Sequence, residues 1–126
     1  MKTTEMVMNY LKQEGFLPSI DEDNDIKFKY QMLTFYFMNN DDDERYFRLA
    51  LPNIYDVTDD NRYAVLEAIN TVNKGYKVAK VVIMRNTVWI VTEILMDTSP
   101  ELKDFMPRLL EIMVGARMEL IKELED

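Results

Sequence analysis

Ile26-Lys27-Phe28-Lys29-Tyr30-Gln31-Met32-Leu33-Thr34-Phe35-Tyr36-Phe37 is the stretch that decides the fold. Ile26, Phe28 and Tyr30 alternate with Lys27, Lys29 and Gln31, the period of a strand with one wet face. Leu33, Phe35 and Phe37 take the alternation up again, facing opposite to Thr34 and Tyr36, so a tight turn joins two antiparallel strands. An acidic loop, Asn39 to Glu44, leads to a third strand with Phe47, Leu49 and Leu51 inward and Arg48 outward, which Pro52 ends. Connections this short exclude parallel crossovers and make the three strands a meander.

Helical periodicity flanks the meander. Thr3 to Glu14 places Met6, Val7, Tyr10 and Leu11 on one face, with Gly15 as the terminating residue and Phe16 folding back onto Leu11. Pro18 confines any strand in Leu17-Pro18-Ser19-Ile20 to a sheet edge. A second helix starts near Asp60 as its cap, ends at Gly75, and buries Val65, Ile69, Val72 and Tyr76. Val78 to Met84 and Thr87 to Met96 form a hairpin through Arg85-Asn86. The second of these strands is nearly continuous in apolar residues, and reads as central and covered on both faces. Ser99-Pro100-Glu101 opens a short turn before a long helix beginning near Asp104, with Pro107 in its first turn and Leu109, Leu110, Ile112, Met113, Ala116, Leu120 and Leu124 on its buried stripe. The expected fold is α+β, in the order helix, three strands, helix, two strands, helix. A five-stranded antiparallel sheet carries helices mainly on one face and at its edges. Residues 1–126 read as a single domain.

Composition removes most chemistries. Without Cys or His there is no disulfide, thiolate metal site, thiol nucleophile or histidine base. Three glycines cannot build a phosphate loop, and no Ser or Thr has a recognisable base, so no enzyme and no cofactor are expected. A net charge of −8 argues against nucleic acid and favours solubility or a cationic partner. No apolar run reaches membrane-spanning length and no apolar signal core opens the chain, so no membrane contact and a cytoplasmic location are expected.

Three groups of residues remain as candidate sites. Asp21, Asp23 and Asp25 have the opening spacing of a calcium loop, but Ile26 stands where glycine is needed and Met32 where the bidentate glutamate belongs. Hairpin pairing brings this loop to the same sheet end as Asp41, Asp42, Asp43 and Glu44, an oxygen-rich end able to hold a hard cation weakly; Asp41 and Asp43 are its further candidates. Solvated turn residues are the plainer account. Glu93 interrupts an apolar strand and Arg117 an apolar helical stripe, which motivates a buried ion pair between them or an interface contact. Asn73 falls in the apolar arc of the second helix, where an amide satisfies backbone groups. Of ten methionines most are core filler, but Met8, Met38 and Met118 lie off the buried stripes. Tyr36, Met38, Tyr46 and Met118 are the candidate partner-binding surface or dimer interface.

The segments 16–30 (FLPSIDEDNDIKFKY) and 67–74 (EAINTVNK), the ending Ser99-Pro100-Glu101-Leu102, and Pro107 to Arg117 together resemble small bacterial YbjN-like proteins in order and spacing. The resemblance covers nearly the whole chain. It implies the fold of type III secretion chaperones: small acidic α+β proteins, usually homodimers, that hold partner polypeptides. It implies a binding role, chaperone-like or adaptor, with no catalytic motif to carry over. YbjN-like proteins have also been proposed as regulators, and the alternative here is a small sensor domain reading a ligand or divalent cation at the acidic loops. One departure is local: relatives often carry glycine in the first hairpin turn, where this chain has Gln31-Met32.

Overall fold

In the computed structural model, which describes residues 2–125, the chain runs α1 (Thr3–Gln13), β1 (Ser19–Ile20), β2 (Ile26–Tyr30), β3 (Leu33–Phe37), β4 (Tyr46–Leu51), α2 (Arg62–Gly75), β5 (Ala79–Met84), β6 (Thr87–Leu95), a 3₁₀ turn (Leu102–Asp104) and α3 (Met106–Glu125). The sheet is antiparallel, in the order β1-β2-β3-β4-β6-β5. It has six strands rather than the expected five. The extra one is the two-residue β1, which pairs with the outer edge of β2 through Ser19↔Lys27 and Ile20↔Ile26. It lies at the sheet edge, the position to which Pro18 confines a strand in this segment, and with both residues exposed it has no burial alternation that would add it to the count.

Period-two alternation sets the two faces. Ile26, Phe28, Phe35, Phe37, Phe47, Leu49, Val81, Val88 and Ile90 point inward and join the core with Val7 and Leu11 of α1, Val65, Ile69 and Val72 of α2, and Met106, Leu110, Met113 and Leu120 of α3. The helices lie on that face. The expectation that β6 is covered on both faces is corrected: β6 is interior in strand order, but its other face has no helical layer, and Glu93 and Leu95 on it are exposed.

Local signals decide where the elements stop. Gly15 takes the left-handed conformation, with φ of +87°, and the Phe16 N–H donates to the Leu11 carbonyl, closing α1 as its sequence indicates. α2 starts at Arg62, two residues beyond Asp60, after a turn closed by two reciprocal bonds: the Thr58 N–H donates to Asn61 Oδ1 and the Asn61 N–H to Thr58 Oγ1. Asn73 is exposed at the rim of α2, not in its buried arc. Its amide nonetheless satisfies backbone: Nδ2 donates to the Val81 carbonyl at 3.1 Å and Oδ1 accepts the Val81 N–H at 2.8 Å. One side chain thus occupies the middle of the β5 edge, where another strand would otherwise add.

The β2–β3 turn is built without glycine. Gln31 and Met32 have φ of +50° and +66°, the left-handed pair of a two-residue hairpin loop, and the register Tyr30↔Leu33 follows. Each non-glycine residue there costs about 1–2 kcal/mol. Replacing the pair by Asn-Gly is therefore expected to raise unfolding free energy by about 1–2 kcal/mol in urea titrations. A neutral or destabilising result would show that the turn is not strained. Asn73→Ala is expected to cost about 1 kcal/mol and to promote self-association, read by urea unfolding and light scattering; unchanged stability would deny the amide its capping role.

A candidate binding surface on the open face of the sheet

The open face is organised by strand register. Lys27 stands opposite Tyr36, Tyr36 opposite Ala50, Ala50 opposite Val91, and Val91 opposite Lys80. Ala50 and Val91 are both 0% exposed, yet neither belongs to the helix-covered core. Their cover comes from taller half-buried neighbours on the same face, Tyr36, Arg48 and Trp89.

One row along, Arg48 stands opposite Glu93. Lys80 Nζ lies 2.6 Å from Glu93 Oε1, and the Tyr46 hydroxyl donates to Glu93 Oε2. The Lys80 hydrogen bond, then the Tyr46 one, hold the Glu93 carboxyl below the usual glutamate range against the opposing effect of burial. Burial first, then the Glu93 carboxylate, push the Tyr46 phenol up. Arg48 Nε is buried without a hydrogen-bond partner among the described residues.

This geometry overturns the Glu93–Arg117 pair. Glu93 has the opposite parity to Ile90 and Thr92, so it projects away from the helices, whereas Arg117 is half-buried on α3 in the helical layer. The carboxylate is taken by Lys80 and Tyr46 instead.

The acidic loops meet at one sheet end as the hairpin topology requires. Asp25 Oδ1 accepts the Asn39 N–H at 2.8 Å, and Asn39 Nδ2 donates to Asp41 Oδ1 at 3.3 Å. Carboxylate oxygens of Asp21, Asp23 and Asp25 lie within 4.8 Å of one another; Asp41 and Asp43 are not part of that group. Much of this convergence is turn chemistry: Asp21 Oδ1 accepts the N–H groups of Asp23 and Asp25 at 2.9 and 3.0 Å. Burial raises the Asp25 pKa, the Asn39 N–H opposes this, and the charges of Asp21 and Asp23 add to it.

Of the candidate partner-binding residues, Tyr36, Met38 and Tyr46 share the open face, while Met118, 65% exposed, stands on α3 in the other layer. Two residues of the open face escaped the sequence reading. Trp89 lines a cavity of about 270 Å³ with Tyr36, Met38, Pro52 and Asn53, and Asp21, Asp23 and Asp25 complete its lining. Leu95 stands opposite Tyr46 and is 76% exposed. The available signal was parity: Trp89 and Leu95 are an even number of residues from Glu93, the one charge in the strand.

Residues 2–126 match the family described as T3SS (YopN, CesT) and YbjN peptide-binding chaperone 1, TY-Chap1. The chain belongs to this family. Among solved structures it is similar to the crystal structure of YbjN from E. coli, with a TM-score of 0.71 and 8% identity, covering 94% of this chain and 89% of that one. At that identity the likeness shows a shared fold. No curated protein sequence matches. Among the described residues no helix is long and apolar enough to cross a membrane.

The lowered Glu93 pKa has a sign that can be checked. Its contribution to stability is complete above the unfolded-state pKa and is lost as pH falls through the lower folded-state value. Wild type is therefore expected to exceed Glu93→Gln in urea midpoint at neutral pH, with the difference vanishing in acid. A pH-independent difference would rule the cluster out.

Proposed function

We propose that this chain is a non-enzymatic peptide-binding protein, chaperone or adaptor, whose open sheet face receives an extended segment of a partner polypeptide. The observation that carries the reading is a sheet face without a helical layer, bearing Tyr36, Met38, Tyr46, Trp89 and Leu95, in a chain of a peptide-binding chaperone family. Aromatic and thioether groups accept many apolar side chains without strict shape selection, as a holder of unfolded segments requires. The same reading takes residues 1–126 as a single cytoplasmic domain that works as a homodimer. Light scattering is then expected to give twice the chain mass of 15.0 kDa; a monomer mass overturns the dimer.

Trp89 is the sole tryptophan, so its emission reports on the face directly. A pool of short random peptides is expected to shift that emission, with apolar and aromatic sequences retained preferentially on the immobilised protein. Tyr36→Ser combined with Met38→Ser is expected to weaken retention about tenfold. Met118→Ser, in the helical layer, is expected to leave it unchanged. Equal loss from both changes, or none from either, would move the site off this face.

A cation-sensing domain is the second reading, favoured by the convergence of Asp21, Asp23 and Asp25 within 4.8 Å. It requires calcium or magnesium to raise the melting temperature; a titration without a shift removes it.

A further inference from the structure

A second opening lies where β3 and β4 part. Their ladder consists of Tyr36↔Ala50 and Phe37↔Leu49, with the Met38 N–H donating to the Arg48 carbonyl at 2.9 Å beyond it. Two residues the other way, the register sets Thr34 against Pro52, which has no N–H to donate. Asn53, with φ of +57°, then turns the chain, and the Ile54 N–H donates to the Val88 carbonyl at 2.8 Å. The segment after Pro52 therefore follows β6 and leaves β3. Between them opens a cleft of about 360 Å³, with Leu33 and Thr34 on one side and Pro52 and Asn53 on the other.

The charge of this cleft runs against the composition of the chain. Asp and Glu number 23 and Lys and Arg 15, yet the charged residues lining the cleft are Lys27 and Arg117, with no carboxylate. Arg117 makes no hydrogen bond or ion pair among the described residues. Arg117 stands on α3 between the buried Met113 and Leu120, with its stem half-buried and none of its guanidinium nitrogens shut off from water, so an anion in the cleft can reach it directly. Arginine is also the side chain whose planar fork matches a carboxylate through two parallel hydrogen bonds.

We propose that this cleft is a carboxylate site: Arg117, with Lys27 as the second charge, receives a carboxylate of the bound polypeptide, either its C-terminus or an Asp or Glu side chain. The inference rests on the peptide-binding reading above and adds the chemistry that the peptide must present. The cleft and the Trp89 cavity share Tyr36, Pro52 and Asn53, so a segment on the open face reaches Arg117 without leaving the protein surface. The far cavity carries Asp21, Asp23 and Asp25, so the groove is positive at one end and negative at the other, and an extended peptide is given a direction.

The test has two arms. In the first, the NMR signal of the Arg117 side-chain Nε–H is followed in the wild-type protein during titration with N-acetylglycine, with glutarate, and with N-acetylglycinamide as the uncharged control. A saturable shift with either acid and none with the amide is expected, weakening as salt rises; the two acids separate a terminal from a side-chain carboxylate. No shift with either acid overturns the carboxylate site whatever else the protein binds. In the second arm, random peptides with free C-termini, amidated peptides containing Glu, and amidated peptides without acids are retained on wild type, Arg117→Gln and the Lys27→Gln/Arg117→Gln pair. Acid-bearing peptides are expected to be enriched roughly tenfold or more on wild type, the enrichment disappearing in the variants while acid-free retention persists. Equal enrichment on wild type and variants overturns the proposal. An Arg117 shift without retention of any peptide pool fails the peptide-binding reading and leaves the anion site standing.

Discussion

A run of aromatic rings on one side of the sheet is the constraint on which the rest depends. Phe16, after α1, meets Phe28 at 5.8 Å, Phe28 stacks on Phe35 at 5.7 Å, Phe37 meets Phe47 at 5.3 Å, and Phe47 meets Phe105, just before α3, edge-on at 5.4 Å. The rings join the segments flanking two helices to the three strands of the meander. Each phenylalanine fully buried from water contributes about 1.5–3 kcal/mol, and four of the six are at most 1% exposed. A one-residue slip of β2 or β3 would turn these rings to solvent, so the pairing register is enforced by the core. With all the helices on the ring side, the other side of the sheet is left open.

The open side is closed neither by apolar packing nor by a uniform layer of charge. Ala50 and Val91 form a dry floor beneath Tyr36, Trp89 and the Arg48–Glu93–Lys80 array. Small residues in the middle and large ones around them make a shallow groove, which suits a chain laid across the sheet. The charge array is anchored at Glu93, which Lys80 and Tyr46 hold from two sides. It fixes the groove wall and, with two cations to one carboxylate, leaves no net attraction for a cation there.

Strand parity and helix periodicity carried most of the architecture. β2 and β3 are legible because Ile26, Phe28 and Tyr30 alternate on one side of the turn and Leu33, Phe35 and Phe37 on the other, and the end of α1 because Gly15 takes the left-handed conformation without a steric penalty. What those patterns do not contain is which elements meet. Glu93 and Arg117 are each correctly anomalous within their own segments, but their pairing depended on the relation between a strand face and a helix face, which only the tertiary arrangement sets. Lys80 was the partner because the β5–β6 register puts it diagonally beside Glu93. β1 was legible only through Pro18, which allowed an edge strand in that segment; its two exposed residues carry no period that would have established one.

Pro52 and the Gln31-Met32 turn belong to one argument about where this fold accepts cost. Pro52 deprives Thr34 of a ladder partner, and Gln31, Met32 and Asn53 are non-glycine residues held at positive φ around the opening that results. An idealised hairpin would carry Asn-Gly in the turn and no proline opposite Thr34, and would close the sheet. Here Met32 is 93% exposed and lines the cleft, placed there by the conformation that glycine would adopt more easily. A glycine at that position relieves the backbone and removes the thioether from the mouth of the cleft. Strain and opening thus coincide at the cleft that Arg117 lines, as expected of a site whose shape is kept for a ligand rather than for the stability of the chain.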